Sequence, residues 1–577
     1  MTERLLSGER RLEAAPRAGM APRGIAALVA AVREAVLADC PSAAFRRILL
    51  LVLLPTVVWF PTLNFDFVLD DAGTFLEDPL AQGPLDLPAI FGSPVHVERS
   101  RLPFYRPVIT LTYWLDRTLW GVNPAGFHLT NLAWHVLTVL LAYLLLRRSG
   151  AGPGLGVTAA GLFAVLPSHA EAVAWIQGRV DLVASAFLLG SASIAIRLRE
   201  RATLPGWMGT LLAFALALLA KEPSVVLPGV LLILWRARGP EPWAATAGRL
   251  APFLVVVASY LGLRRAVLSG TPGFALVFDQ ISARGAGILA VLGEYLRILT
   301  WPGLLPNFHM AVGQTGSISP GRTIAGAAIL LGMIAALVFG ERGRNKDGSH
   351  GNPVGMGVAW FLITLVPALG MLAVREAPAV GYLVTERYVY LPALGLCLVA
   401  GFGVTRLWTR PAWGLGVMTL LLVVACVGAL TRAQAWRDAE TMYRAVLPRT
   451  GDRALAHGNL GALYLARGEI PAAIAEFEAI LREDPTHPGA LNNLGVARAR
   501  QGREDEALAL YHEAIRNKPA YADAWNNLGV LLEERGARAE ARTAYQRALA
   551  IDPTLTLARR NLEGLGQASP GEGVEHR

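Results

Sequence analysis

Ala412-Trp-Gly-Leu-Gly-Val-Met-Thr-Leu-Leu-Leu-Val-Val-Ala-Cys-Val-Gly-Ala-Leu-Thr431 is a stretch of 20 residues with no charge. As a helix rising 1.5 Å per residue it is about 30 Å long, the thickness of the hydrocarbon core of a bilayer. Hydrocarbon offers the backbone no hydrogen-bond partners, so a stretch of this kind crosses it as a helix. Immediately after Thr431 the chain turns polar and Ala-rich and acquires a repeat. The fold class is therefore all-α, in two parts. A polytopic transmembrane helical bundle comes first and an α-solenoid follows.

Ten more stretches resemble 412–431. They are 47–62, 128–147, 154–167, 180–198, 206–221, 223–236, 250–267, 322–340, 355–373 and 388–405, which makes about eleven predicted spans. A further segment, 288–302, is apolar but carries Glu294 and Arg297. It either spans or lies in the interface, and the side of the C-terminal part depends on which. The composition agrees with a membrane protein. Of 577 residues 53% are hydrophobic and 17% charged, where soluble domains carry about 25% charged residues. The formal charge of +9 comes almost wholly from arginine, since Lys221, Lys346 and Lys518 are the only lysines. That bias, with the Ala, Gly and Leu richness, points to a GC-rich bacterial genome and not to nucleic-acid binding. No Asn-x-Ser/Thr acceptor occurs, which is compatible with that source. Cys40, Cys397 and Cys426 form no CxxC or Cys/His cluster, so neither a disulfide framework nor a zinc site is expected. Residues 1–46 contain no cleavable signal pattern, because their one apolar stretch, Ile25–Val32, runs into Arg33-Glu34.

Arginine sets the orientation. Eight arginines precede Ile48, placing the 1–46 segment in the cytoplasm. Arg147-Arg148, Arg197 to Arg201, Arg236/Arg238, Arg342 to Lys346 and Arg406/Arg410 fall on the same side when eleven spans are counted, while Arg264-Arg265 breaks the pattern. The opposite face receives outer loop 64–127 and most of the ionisable groups. Asn64-Phe-Asp-Phe-Val-Leu-Asp-Asp-Ala-Gly-Thr-Phe-Leu-Glu-Asp78 supplies Asp70 and Asp71. Tyr105-Arg106, His128, His169, Glu171, Arg179, Asp181, Lys221, Glu386 and Arg387 also fall at outer ends of spans. Each of these alone reads equally well as a cap, an anchor or a structural ion pair. Gathered on one face, they form a site that can take a proton and neutralise an anion.

The repeat has a period of 34 residues. Asn459-Leu-Gly461, Asn493-Leu-Gly495 and Asn527-Leu-Gly529 recur, with a partial fourth match at Asn561-Leu562. Ala473, Ala507 and Ala541, then Phe477, Tyr511 and Tyr545, then Pro485, Pro519 and Pro553 keep the same spacing. This is the tetratricopeptide pattern. Small residues let the paired helices approach, the aromatic fills the gap between repeats and proline stops the second helix. The division expected is a transmembrane domain over 47–431, a connector helix over 432–453, repeats with a capping helix over 454–566 and a disordered tail over 567–577. Asn459, Asn493, Asn527 and Asn561 form a ladder whose amides suit the backbone of an extended peptide. The alternative is that they satisfy only local bonds.

The motifs in this order resemble the transmembrane and tetratricopeptide-repeat protein O-mannosyltransferases of the GT-C superfamily. Asp66-Phe-Val-Leu-Asp-Asp71 with Asp78-Pro79 is similar to the family's acidic first-loop motif. Tyr105-Arg-Pro107, Gly126-Phe-His-Leu-Thr-Asn131 with His135, Pro167-Ser-His-Ala-Glu-Ala-Val173, Gly178-Arg-Val-Asp-Leu182, Ala220-Lys-Glu222, Trp301-Pro-Gly-Leu-Leu-Pro306 and Glu386-Arg-Tyr388 follow. Leu166 stands where the family has a histidine. The resemblance covers about 45–565. It implies transfer of a sugar, mannose in the family, from a polyprenyl-phosphate donor to a Ser/Thr hydroxyl of a secreted or membrane protein outside the cytoplasm. It further implies Asp70 or Asp71 as base, with Arg179, Lys221, Glu386 and Arg387 around the donor phosphate. Tyr105, Arg106, His128, His169, Glu171 and Asp181 are further active-site candidates. No cofactor or metal is expected, although Asp70, Asp71, His169 and Glu171 are residues able to hold a divalent cation. The expected setting is a bacterial inner membrane with the repeats in the periplasm, where they bind acceptor or partner proteins. The competing reading is a non-catalytic membrane-anchored scaffold, which the substitution at Leu166 favours. A transporter fits less well, because it needs polar groups in mid-span.

Overall fold

The computed structural model describes residues 40–69, 71, 78–94, 104–239, 241–268, 278–300, 310–312, 320–340, 352–374, 382–447 and 453–567. Asp70, Trp301–Pro306, most of the N-terminal segment and the tail beyond Gln567 lie outside these residues.

Helices occupy the predicted spans: Pro41–Trp59, Pro124–Arg148, Pro153–Ala164, Arg179–Leu198, Leu204–Ala220, Leu227–Ala237, Trp243–Val267, Pro320–Gly340, Pro353–Val374, Tyr390–Leu407 and Pro411–Ala433. Several begin with proline in the first turn, where its missing N–H would have had no helical partner anyway. Among the described residues six helices are long and apolar enough to cross a membrane. Pro153–Ala164 with Pro167–Ala174 makes a further candidate, bent by 54°. Leu204–Ala220 and Pro353–Leu369 are apolar but shorter. The ambiguous segment 288–302 falls mostly on a 23-residue helix, Phe278–Thr300, which packs beside Pro320–Gly340 and Pro353–Val374.

Burial separates a centre from a rim. The window within Ile176–Leu198 is 83% buried, against 11% for Trp243–Val267 and 17% for Pro411–Trp436. The rim helices turn Val57, Leu254, Val255, Leu420 and Val427 outward. A belt of large apolar side chains facing out is what lipid covers. Pro353–Val374 and Tyr390–Leu407 touch backbone to backbone. A Cβ on Gly357 would sit 2.4 Å from the Gly395 carbonyl oxygen, and one on Gly395 would sit 2.2 Å from that of Gly357. Small residues allow such crossings where no hydrophobic force drives helices together. The helices are joined by a short antiparallel ribbon in which Met310 pairs with Val384 and Val312 with Tyr382.

Two ends of the bundle differ in charge. Arg148, Arg199, Arg238 and Arg249 gather at one end with Glu200 and Glu241, in bonds to side chains and helix-end carbonyls. The acidic loop and its partners occupy the other end. Arg264 is electrostatically coupled to Glu222 and so belongs to this acidic end, in keeping with its exception to the arginine pattern.

The repeats form helix pairs Arg453–Ala466 with Ile470–Glu483, Pro488–Arg500 with Glu504–Asn517, and Ala522–Glu534 with Arg538–Ile551, closed by Thr556–Gln567. Gly468, Gly502 and Gly536 turn each pair at φ of +76°, +74° and +78°, a region costly for other residues. A Cβ on Gly495 would stand 2.6 Å from the Tyr511 ring, and Gly461 and Gly529 face Phe477 and Tyr545 in the same way. The connector is shorter than expected: a 3-10 turn Gln434–Trp436 and a helix Ala439–Val446. It is tied to the acidic end at three points. Asp66 N–H donates to the Arg437 carbonyl at 2.8 Å, Trp436 stacks on Trp175, and Arg432 pairs with Glu386. The solenoid therefore leaves the bundle at the end that carries the acidic loop.

Candidate functional site

Within the acidic stretch the chain makes a tight turn at Leu69, the one non-glycine with positive φ (+54°) among the described residues. The turn folds around Asp71. The Asp71 N–H donates to the Val68 carbonyl at 3.2 Å, and its Oδ2 accepts from Val68 N–H at 2.9 Å. Asp71 is fully buried. Asp78 instead caps the short helix Pro79–Gln82, accepting from Leu80 N–H at 2.9 Å. Beneath the loop lies Tyr113, whose phenol feels Asp71, Arg106, Asp116 and Arg179, and burial pushes it up.

Three cation–carboxylate pairs then cluster at helix ends. Arg106 donates to Glu222 Oε2 at 2.9 Å from Nη2 and 3.3 Å from Nε. Lys221, which ends Leu204–Ala220, pairs with Asp181 in the first turn of Arg179–Leu198. Glu171 Oε2 accepts from the Arg387 backbone N–H at 3.1 Å, and Oε1 lies 3.5 Å from Arg387 Nε. Arg387 and Arg106 both act on Lys221, so the pairs form one field. Gly178 makes the cluster possible. A Cβ there would meet the Glu171 and Ala172 carbonyl oxygens at 2.4 and 2.5 Å, so only glycine lets Arg179–Leu198 start against the segment carrying Glu171.

Lys221, Asp181, Arg387 and Tyr388 line one pocket, whose other wall includes Leu188, Ala368 and Leu391. The Lys221 ammonium is 5.2 Å from the Tyr388 ring centre. Both cations keep partial access: their side chains are 8% and 24% exposed. The pocket thus combines two cations with an apolar wall.

Arg179 has a different place from the one expected. It is fully buried, pairs with Asp116 at 2.5 Å, and donates to Asn131 Oδ1 at 2.7 Å and the Phe127 carbonyl at 2.9 Å. Its guanidinium holds outer helix Pro107–Trp120 against the core and does not border the pocket. Glu386 likewise turns to Arg432. Tyr105 is buried, with its hydroxyl on the Phe91 carbonyl at 2.9 Å. His128 packs against Phe65, and His169 packs between Phe163 and Tyr390 with ring centres at 4.6 and 4.4 Å. Among the described residues no group of three or more His, Cys, Asp or Glu could hold a metal ion. The ladder asparagines bond laterally. Asn527 Nδ2 donates to Asn492 Oδ1 at 3.0 Å, Asn561 Nδ2 to Asn526 Oδ1 at 3.0 Å, and Asn492 Nδ2 to Asn493 Oδ1 at 3.1 Å. Asn459 lies half-buried on the first repeat helix.

Sequence reading missed Asp116, Glu222 as partner of Arg106, and the roles of Trp175, Arg432 and Trp436. A charge in the last turn of the last span was the one available signal for Arg432.

Fold and site together define a helical membrane protein with a charged pocket that has an apolar wall, and a tetratricopeptide solenoid fixed beside it. The tetratricopeptide-repeat family matches residues 429–488 and 492–555. The chain is similar to the protein O-mannosyl-transferases of the TMTC group. It is 27% identical over 532 residues to protein O-mannosyl-transferase Tmtc1 of Drosophila melanogaster, covering 74% of this chain and 60% of that one. To human protein O-mannosyl-transferase TMTC4 it is 27% identical over 473 residues, covering 71% and 62%. The chain thus spans about three fifths of the length of these relatives. Among solved structures, apo ArnT from Cupriavidus metallidurans matches at 19% identity with a TM-score of 0.37, over 84% of this chain and 80% of that chain.

Proposed function

We propose that the protein is a membrane glycosyltransferase. It moves a sugar, mannose by likeness to its relatives, from a polyprenyl-phosphate carrier to a Ser or Thr hydroxyl of a secreted or membrane protein. The observation that carries this reading is the pocket in which Lys221 and Arg387 face Leu188, Ala368 and Leu391. A phosphate head on an isoprenoid chain has the matching chemistry, and guanidinium and ammonium groups in a low-dielectric site favour such an anion strongly. The similarity to proteins named protein O-mannosyl-transferases supports the same class.

In this reading Asp70 or Asp71 takes the acceptor hydroxyl proton. The hydroxyl oxygen bonds to the anomeric carbon as the carbon–oxygen bond to phosphate breaks, with inversion. The electron pair leaves on the lipid phosphate, whose charge Arg387 and Lys221 offset. These cations supply the positive charge without a metal. Asp71 is enclosed by its own turn, so serving as base requires that turn to open. The acidic end faces away from the cytoplasm, since arginines crowd the other end. The repeats then hold the acceptor or a partner outside. We read the arginine-rich, lysine-poor composition as that of a bacterial inner-membrane protein with the solenoid in the periplasm.

The test is sugar transfer by purified protein in liposomes supplied with a panel of polyprenyl-phosphate sugars and Ser/Thr peptides. Wild type is compared with Asp70→Asn, Asp71→Asn and Arg387→Gln. Transfer by wild type, lost in Arg387→Gln and in one aspartate variant, is expected. No transfer from any donor, with peptides still bound, favours the scaffold.

A further inference from the structure

The join between bundle and solenoid is built into the site. Trp436 is fully buried, and its ring lies over that of Trp175 at 5.6 Å and 17°. Trp175 has a second partner in the Arg387 guanidinium, 5.0 Å from its ring centre. One residue before Arg387, Glu386 pairs with Arg432, four residues before Trp436 and only 5% exposed. One residue after Trp436, the Arg437 carbonyl accepts from Asp66 N–H, where the chain enters the Asp71 turn. The six residues 432–437 thus touch three separate site segments: 386–387, Trp175 and 66–71. On the other side, the connector helix grips the first repeat. Arg467 Nη1 donates to Glu440 Oε2 at 2.6 Å, the Tyr464 hydroxyl to Glu440 Oε1 at 3.0 Å, and Arg444 Nη2 to the Tyr464 hydroxyl at 2.8 Å.

We infer that Trp436 and Arg432 are positioning residues for the site, with the base of the solenoid holding Arg387 and the Asp66–Asp71 turn in place. This inference rests on the proposed transferase reading for its catalytic part. A tether needed only to carry the repeats would be a flexible exposed linker. Here Arg432, Ala433, Ala435 and Trp436 are buried, and Arg432 and the Arg437 carbonyl bond site segments. A guanidinium held between a carboxylate and an indole ring is less well placed when that indole loses the ring stacked on it. Load on the repeats therefore reaches Arg387 through two rings and one ion pair, a short contiguous path.

The experiment uses the full-length protein in nanodiscs, comparing wild type, Trp436→Ala, Trp436→Phe and Arg432→Gln. Hydrogen exchange reports on the site without any substrate. Faster exchange confined to 65–71 and 385–389 in Trp436→Ala and Arg432→Gln, restored in Trp436→Phe, is expected. With the donor and a short acceptor peptide, kcat should fall at least tenfold in Trp436→Ala while KM for the peptide stays within twofold. Uniformly faster exchange over the bundle, or no change at 65–71 and 385–389, overturns the inference. So does a rise in peptide KM at unchanged kcat, which would make the segment part of the acceptor site. If wild type transfers no sugar, the transferase reading fails, and the exchange result alone still decides whether 432–437 positions the site.

Discussion

Glu171 holds Arg387 twice, accepting from its backbone N–H at 3.1 Å and facing its Nε at 3.5 Å, across 216 residues of sequence. One side chain thereby fixes both where the segment 385–389 begins and where its guanidinium points. Glu171→Gln can still accept the backbone bond but loses the charge. It should leave the fold intact and lower sugar transfer at least tenfold, with thermal unfolding within a few degrees of wild type. Glu171→Ala should destabilise the bundle as well, since it also removes the acceptor of the Arg387 backbone N–H, a loss of about 1–3 kcal/mol.

Lys221 and Asp181 are mutually compensating. Lys221→Met strands the Asp181 carboxylate, and Asp181→Leu strands the ammonium. Each single change should cost about 3–5 kcal/mol, while the double change Lys221→Met with Asp181→Leu should recover most of that loss. Thermal unfolding in detergent measures the cycle. Transfer should remain lost in the double variant, because the pocket keeps Arg387 but loses the second cation.

Gly495→Ala places a methyl 2.6 Å from the buried ring of Tyr511. The ring cannot swing aside within its helix pair, so overpacking should cost about 1–3 kcal/mol. Limited proteolysis of the intact protein should show faster cleavage within 488–517 and an unchanged bundle.

Asn527 uses its amide nitrogen on Asn492 and its carbonyl oxygen on Asn526, at 3.0 and 3.4 Å. Asn527→Ala should therefore loosen the second and third repeats by about 1 kcal/mol, read as faster hydrogen exchange across 488–534. Peptide affinity that falls with no change in exchange would return the ladder to a binding role.

Glu440 carries the pH dependence of the solenoid joint. Its carboxyl is held below the usual range, first by the hydrogen bond from Arg467, with Tyr464 and Arg444 adding. The folded joint thus binds its proton less readily than the unfolded chain. Its contribution is present above the ordinary glutamate pKa of about 4.3 and is lost as pH falls through the lower folded value. Corrected for the intrinsic pH dependence of amide exchange, protection over 439–467 should fall as pH drops from about 5 to about 3 in wild type and change less in Glu440→Gln.

Much of this was legible in the sequence because period and polarity are local. Uncharged stretches of bilayer length marked the helices, and the 34-residue recurrence of Gly, Ala, aromatic and Pro marked the repeats, while which glycine meets which ring came from the structure. The gathering of Glu171, Asp181, Lys221 and Arg387 was expected from their positions at span ends, since spans that alternate direction bring alternate ends together. What composition could not assign was which charge pairs with which. Arg179 and Arg387 look alike in sequence, yet one is saturated by Asp116, Asn131 and a carbonyl, and the other borders the pocket.

The sequence by itself determined the two helical architectures, their order, and the face on which the ionisable groups collect. All three follow from the free energy of placing side chains and backbone in hydrocarbon or water, which is summed residue by residue. The tertiary structure alone decided that Arg179 is a brace, that the asparagines bond each other across repeats, and that the solenoid is anchored on the acidic end. Counting spans bears only on the side of the membrane, through the parity of 288–302, and not on the end of the bundle that holds the solenoid. The contacts of Asp66 with Arg437, Trp175 with Trp436 and Glu386 with Arg432 decide it directly, because a hydrogen bond, a ring stack and an ion pair each require their partners within a few ångströms, and chain separation says nothing about that.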